Sequence, residues 1–343
     1  MSKINNMKSR NYAIEALRFL FMMQICLWHY GFPNILSAGF LGVEFYFILS
    51  GFFLYRKVAS VNAPSTLNFT FGRLSKFYLK YVIAVILAWI IFGHNVDLKS
   101  FEGLFRATMN FISEILMVQS TGVFGGALNA PLWYFSVLIY GGGLLYSVIS
   151  YNKRLSIKVI LPLLVLLFLS YCFNYGAEEN LESWGVRQFI PMTMLRGICE
   201  MSIGVLIAYV YQTYDIKIKN HTLLLNFASV IAIISYLCIL IWFRPLPNYV
   251  FIFFPVIIIA SWVNGTWLSK IFRANIWGKL GALSYDIFIL HAIVMALCNN
   301  ILLRGFHLNH YLIVTIYFIT LLFGSFLYDK ICTRLNYKFL IAR

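Results

Sequence analysis

The sequence predicts an all-α polytopic membrane bundle of about ten transmembrane helices, with both termini in the cytoplasm. Three observations predict it. The 343 residues are 61% hydrophobic and only 11% charged, with a mean hydropathy of +0.80, whereas a soluble domain carries about 25% charged residues. Apolar segments long enough to cross a bilayer recur along the whole chain. The Lys and Arg side chains collect at the ends of those segments, predominantly on one side. The formal charge of +15 raises the question of nucleic acid, but the basic residues form no single patch, and nucleic acid is excluded as a partner. The lipid bilayer is the expected surroundings.

Taken in order, spans are expected near 13–32, 39–57, 76–93, 131–150, 157–175, 194–213, 222–243, 248–267, 280–302 and 311–330. Glu15 and Arg18 interrupt what would be the apolar stretch of a signal peptide, so the first segment is expected to remain as a span. An eleventh stretch, 102–119, contains Glu102, Arg106 and Glu114 and runs into Gly122–Gly126. The loop charges decide its fate. If it does not cross, most of the 27 Lys and Arg residues fall on the cytoplasmic side, leaving Lys99, Arg106, Arg187, Arg196, Arg244 and Arg304 opposite. If it crosses, every later loop changes side and the asymmetry largely disappears. Residues 94–130 are therefore expected as an outer-side loop holding an interfacial or re-entrant helix. The loop 176–193, with Glu178, Glu179 and Glu182, falls on the same outer side. The longest non-spanning stretch is too short for a separate domain of about 50 residues or more, so residues 1–343 read as one domain. The six cysteines show no CxxC pair and no metal-type spacing with histidine, and read as small buried hydrophobes.

The first span is the most informative. Glu15, Arg18 and His29 stand in an otherwise apolar run, and an ionisable group inside a bilayer is costly enough to mark a site. Eleven steps of 100° bring His29 to within about 20° of the direction of Arg18, roughly 16 Å further along the helix. Both face one way at different depths, and Glu15 is placed to pair with Arg18. Neutral imidazole suits a general base, while a guanidinium offers a fixed fork of donors for an anion or a developing oxyanion. The alternative is a structural Glu15–Arg18 pair with an interfacial histidine. On the second span Glu44 demands a partner, and Ser50-Gly51 reads equally as close-packing chemistry. Arg73, Lys76 and Lys80 at the start of the third span read either as positive-inside flanking or as a phosphate-binding entrance. Pro131-Leu132-Trp133-Tyr134 reads as an aromatic anchor after a proline break. Arg196 and Glu200 have helical-pair spacing. Gly281, Ser284, Phe288 and His291 fall on one helical face, with Tyr285 and Asp286 beside them.

Together these segments resemble the membrane-bound acyltransferase 3 family. Arg18, ten residues and His29, with the preceding Glu15, match its Arg-x10-His signature. Phe40-Leu-Gly-Val-Glu44 through Ser50-Gly51-Phe52 matches its second-helix motif, with Glu44 where aspartate is common. Phe71-Gly-Arg73-Leu-Ser-Lys76-Phe-Tyr matches its basic third-helix motif, with Leu79 where proline is usual. Pro131-Leu-Trp133-Tyr-Phe, Arg196 through Gly204 (with Cys199 or Glu200 near a frequent phenylalanine), and Gly281 through His291 (with Phe288 for tyrosine) match the later motifs. The likeness runs from about residue 11 to 330.

The resemblance implies transfer of an acyl group, usually acetyl from acetyl-CoA, to a sugar hydroxyl. With no metal-type spacing in the sequence, no metal is expected. Acceptors would be an envelope glycan or its lipid-linked form, such as lipopolysaccharide O-antigen, capsule or exopolysaccharide, at a bacterial cytoplasmic (inner) membrane. The chain resembles the stand-alone branch without a fused esterase-like domain. On this reading Arg73, Lys76 and Lys80, with Trp133, serve the acyl-CoA donor. Arg18 fixes the pantetheine end or thioester oxygen, and Glu15 orients Arg18. His29 either deprotonates the acceptor hydroxyl or carries the acyl group. Glu44 orients His29 or binds the acceptor, and Ser50, Arg196, Glu200, Ser284, Tyr285 and His291 line the site. Two rivals stand beside it: acyl transfer to a lipid, peptide or small molecule, and a transporter or flippase of lipid-linked glycan, since intramembrane charges also mark transport paths.

Overall fold

The computed structural model describes residues 10–31, 38–93, 99–123, 127–175, 186–187, 190–242, 249–303 and 308–341. Lys3, Lys8, Arg244, Arg304, Arg343, Gly125, Gly126 and the acidic group Glu178, Glu179 and Glu182 lie outside the described residues.

The described chain is built of helices: α1 (Tyr12–His29), α2 (Leu41–Val58), α3 (Thr66–Leu74), α4 (Tyr78–Phe92), α5 (Phe101–Ile115), α6 (Ala130–Tyr151), α7 (Lys153–Asn174), α8 (Met192–Thr213), α9 (Thr222–Trp242), α10 (Val250–Trp262), α11 (Ile276–Cys298) and α12 (His310–Ile341), with short turns of helix between them. The only extended pairing among the described residues is a two-residue antiparallel ladder, Val186–Arg187 against Ile190–Pro191. Local signals set several starts. The Asn11 side chain accepts from the Ile14 N–H to open α1, and Ser65 and Ser100 do the same for α3 and α5. Pro131 sits in the opening turn of α6, where its missing N–H costs nothing.

Six helices (α6, α7, α8, α9, α11 and α12) are long and apolar enough to cross a membrane, and α3 with α4, bent by 49° between them, form a seventh, broken candidate. The expectation of about ten exceeds this, and the reason is compositional. Helices α1 and α2 reach 18 residues, or about 27 Å, but Glu15 and Arg18 dilute one and Glu44, Arg56 and Lys57 the other. Helix α10 is apolar but short. Helix α5, at 15 residues, rises only about 22 Å, less than the hydrocarbon thickness of about 30 Å. It presents Phe101, Leu104, Phe105 and Ile112 outward, while Glu114 turns inward to accept from Trp89 Nε1 at 2.7 Å and the Asn129 N–H at 3.0 Å.

Two close pairings organise the core. Helices α2 and α8 lie side by side in the same direction, Glu44 beside Arg196, Phe47 beside Gly197, and Gly51 beside Met201. The glycines are what permit it. A Cβ on Gly51 would stand 1.9 Å from the Met201 carbonyl oxygen, and one on Gly204 1.9 Å from that of Ile48. This is small-residue helix packing with backbone against backbone. Helices α1 and α11 also run parallel. Gly281 receives Glu15, whose Oε2 would lie 2.2 Å from a Cβ there, and further along His29 meets His291. Phe21 of α1 stacks on Phe45 of α2 at 4.1 Å, tying the two pairings together. Helices α7 and α9, mostly unburied along their apolar lengths, sit at the outside.

Candidate active site

Between α1, α2, the C-terminal end of α3 with Phe77 just after it, α6 and α11 lies a cavity of about 260 Å³. Glu15 and Arg18 of α1 line one end of it. The Glu15 Oε2–Arg18 Nη1 distance is 2.9 Å, and Arg10 Nε lies 3.1 Å from the other carboxylate oxygen. Arg18 keeps 28% of its side chain exposed, against 13% for Glu15. The carboxylate is thus held between two cations and the Gly281 notch, which fixes the guanidinium of Arg18 at the cavity wall. Tyr46 of α2 donates to the Arg18 carbonyl oxygen.

Arg73 reaches the same cavity from α3, and α6 is shaped to admit it. The segment Val137–Gly141 is a π-helical turn, a distortion that loosens the backbone ladder, and the Leu138 carbonyl accepts from Arg73 Nη1 at 3.3 Å. Gly142 completes the fit, since a Cβ there would stand 2.8 Å from Arg73 Nη1. Ser50 and the Tyr134 hydroxyl, 3.3 Å apart, also line the cavity, with Ser284, Tyr285 and Phe288 of α11 opposite. Lining by Ile25 and Phe288 marks the far end.

One helical turn past that end stand the two histidines, their ring centroids 5.1 Å apart. His291 Nδ1 lies 2.6 Å from the Phe288 carbonyl oxygen. A carbonyl only accepts, so Nδ1 carries the proton and Nε2 holds a lone pair; that Nε2 is buried with no hydrogen-bond partner. His29, half-buried, packs against Trp28 on its other side.

Other expected site residues fall elsewhere. Glu44 does not approach His29. It accepts from Arg196, which lies 4% exposed and also reaches Glu200 Oε1 at 3.4 Å, and Arg196 stands 5.4 Å from the Trp133 ring centroid. Trp133 therefore faces this buried triad. Lys80 is enclosed by carboxylates, 2.7 Å from both Asp286 Oδ1 and Asp329 Oδ1, and braces α4, α11 and α12 together. Lys76 is exposed and lines a small separate pocket with Lys80, Cys332 and Thr333. Sequence reasoning missed Tyr46 and the lining role of Tyr134, whose hydroxyls carry no charge to flag them. It also missed Asp329, which the cost of a carboxylate within an apolar segment would have flagged by the argument used for Glu44. The six cysteines are free, five of them buried. Among the described residues no group of three or more His, Cys, Asp or Glu side chains is placed to hold a metal ion.

Relatives from Staphylococcus aureus strains COL, MSSA476 and MRSA252, each named "Putative O-acetyltransferase", are 19% identical over 357 residues, covering 93% of this chain and 56% of theirs. The chain thus spans a little over half the length of these relatives. No solved structure matches it. The acyltransferase 3 family, described as an acyltransferase domain, matches residues 11–329, which take in the cavity, the histidine pair and both close helix pairings; the chain belongs to this family.

Proposed function

We propose that the protein is an integral-membrane O-acyltransferase that moves an acyl group, acetyl in the simplest case, from acyl-CoA to a hydroxyl of an envelope glycan. The observation that carries the reading is the cavity itself: two guanidinium groups, Arg18 and Arg73, on its wall, and a histidine pair one turn past its far end. That is the separation a two-substrate transfer needs, with an anionic donor held at one depth and a hydroxyl activated at another. The S. aureus relatives' names support the O-acetyl part of the reading.

In the proposed step, an imidazole nitrogen of His29 takes the proton of the acceptor hydroxyl as its oxygen attacks the thioester carbonyl carbon. The oxyanion that forms is stabilised by a guanidinium of the cavity wall. Collapse breaks the carbon–sulfur bond, and the departing thiolate takes the proton back from the imidazolium, so charge and protons balance. His291, with its Nε2 lone pair free, holds the His29 ring in place. Glu15 orients Arg18. The buried triad of Glu44, Arg196 and Glu200, and the Lys80 brace, keep the walls in register rather than touching the substrates.

The parallel runs of α1 with α11 and of α2 with α8 support the ten-span topology. Each pair is parallel only if the crossings between its members preserve direction, which fails if α5 crosses. On that topology both termini are cytoplasmic, the donor enters beside Arg18, and the acceptor meets His29 from the outer side of the inner membrane. The test is glycan acetylation in a deletion strain complemented with wild type, His29→Ala or Arg18→Ala. The expected result is restoration by wild type only. Normal acetylation by either variant at wild-type expression refutes the assignment, and an acyl group found on a lipid or small molecule instead redirects the acceptor.

A further inference from the structure

Beside the N-terminal end of α1 lies a second cleft, separate from the cavity and of different character. It encloses about 310 Å³. Arg10, Lys219 and Arg273 line it, and among the described lining residues there is no carboxylate. Arg273 has no ion-pair partner among the described residues, and Lys219 pairs only with the exposed Asp215, at 2.7 Å. Aromatic surface from Tyr12 and Trp262 and amides from Asn11 and Asn264 complete the wall. Trp262 is held rigidly: Arg56 stacks on it at 4.3 Å and Phe52 meets it at 5.3 Å. A pocket lined by three cations and no carboxylate, with Arg273 the one cation lacking an ion-pair partner among the described residues, and walled by rigid aromatic and amide groups, matches a phosphorylated nucleoside, with phosphate on the cations and base against the rings.

The cleft is joined to the cavity by one residue. Arg10 lines the cleft and its Nε contacts Glu15, which lines the cavity beside Arg18. From Ala13, at the cleft, to Ile25, at the far end of the cavity, is twelve residues along α1, or about 18 Å. A ligand with an anionic nucleotide head and a long thin arm fits this arrangement, with the arm running past Glu15 and Arg18.

Resting on the reading of the protein as an acyl-CoA-dependent transferase, we propose that this cleft binds the phosphorylated adenosine head of the donor, Arg273 and Lys219 holding its phosphates. Arg73 is then left to act within the cavity rather than on the nucleotide.

The experiment pairs binding with turnover on the purified full chain. Affinity for adenosine 3′,5′-bisphosphate is measured for wild type, Arg273→Ala and Lys219→Ala, and acyl transfer is measured with acetyl-CoA and with S-acetylpantetheine, which lacks the head. The expected result is an affinity loss of about tenfold in Arg273→Ala, the equivalent of ~1.4 kcal/mol. The same variant should show a matching rise in KM for acetyl-CoA, with kcat and the KM for S-acetylpantetheine unchanged. Unaltered bisphosphate affinity, or an equal rise in KM for both donors, overturns the proposal while leaving the transferase reading intact. Bisphosphate binding that depends on Arg273, in a protein that transfers nothing from either donor, sustains the cleft and refutes the transferase reading. If Arg273→Ala instead releases co-purified anionic phospholipid and leaves bisphosphate affinity as it was, the cleft is a lipid headgroup site and the proposal falls.

Discussion

Replacing Arg196 with methionine tests how the α2–α8 pairing is held. Glu44 and Glu200 are fully buried and Arg196 is 4% exposed. One guanidinium therefore serves two carboxylates, with Nε at 3.2 Å from Glu44 and 3.4 Å from Glu200, while Glu200 Oε2 has no partner. Charges at such separations interact by about 4–5 kcal/mol each at an effective dielectric constant of ~20. Removing the shared cation strands two buried charges, and breaking a buried pair costs ~3–5 kcal/mol. Removing Glu44 as Glu44→Gln leaves a neutral Arg196–Glu200 pair with an amide oxygen still able to accept, and should cost about 1–2 kcal/mol. Thermal unfolding in detergent, at roughly 2 °C per kcal/mol for a chain of this size, should show Arg196→Met lowered by about 6–10 °C and Glu44→Gln by less than half of that. The triple replacement with Glu44→Gln and Glu200→Gln should recover most of the loss. Equal losses in the two single variants, or no recovery in the triple, would refute the argument from charge imbalance.

Gly204→Ala forces a Cβ to within 1.9 Å of the Ile48 carbonyl oxygen; overpacking against backbone should cost at least ~1–3 kcal/mol, read as a lower unfolding temperature and a poor yield of folded protein. Lys80→Met should destabilise by ~3 kcal/mol, because Asp286 is left buried without its cation, yet leave the KM for acetyl-CoA unchanged; a raised KM with normal stability would make Lys80 a donor ligand. Gly142→Ala should push the flexible end of Arg73 from its seat, reducing acyl transfer about tenfold, or ~1.4 kcal/mol, with an unfolding temperature near wild type. Gly281→Ala should displace Glu15 and lose both activity and stability, since the new Cβ would also stand 2.6 Å from the Glu15 carbonyl oxygen, which cannot swing aside as a side chain can.

The bundle and the charged face of the first span were legible because the physics behind them is coarse and strong. Apolar run length set where helices form, and each expected span coincides with one. The 3.6-residue period put Arg18 and His29 on one face, and Arg18 lines the cavity. What composition could not show was pairing. Glu44 was recognisable as a carboxylate needing a partner, but only folding brings α8 beside α2 and supplies Arg196. Lys80 carries the same charge as Lys76, and nothing local says that Asp286 and Asp329, both more than 200 residues away in sequence, close around it. The π-helical turn in α6 that accommodates Arg73 has no signature beyond its run of glycines.

The glycine contact between α2 and α8 bears on what kind of machine this can be. Where two backbones touch through Gly51 and Gly204, sliding or rocking one helix against the other must first pull carbonyls from their seats, and the buried triad above them resists the same motion. A carrier that moves a whole glycan across a bilayer depends on such rocking. A framework clamped in this way is suited instead to standing still while something small changes hands across it. On the proposed function, the mobile part of the reaction is the acyl group and its flexible arm, and the protein's work is to keep two depths of the membrane at a fixed separation.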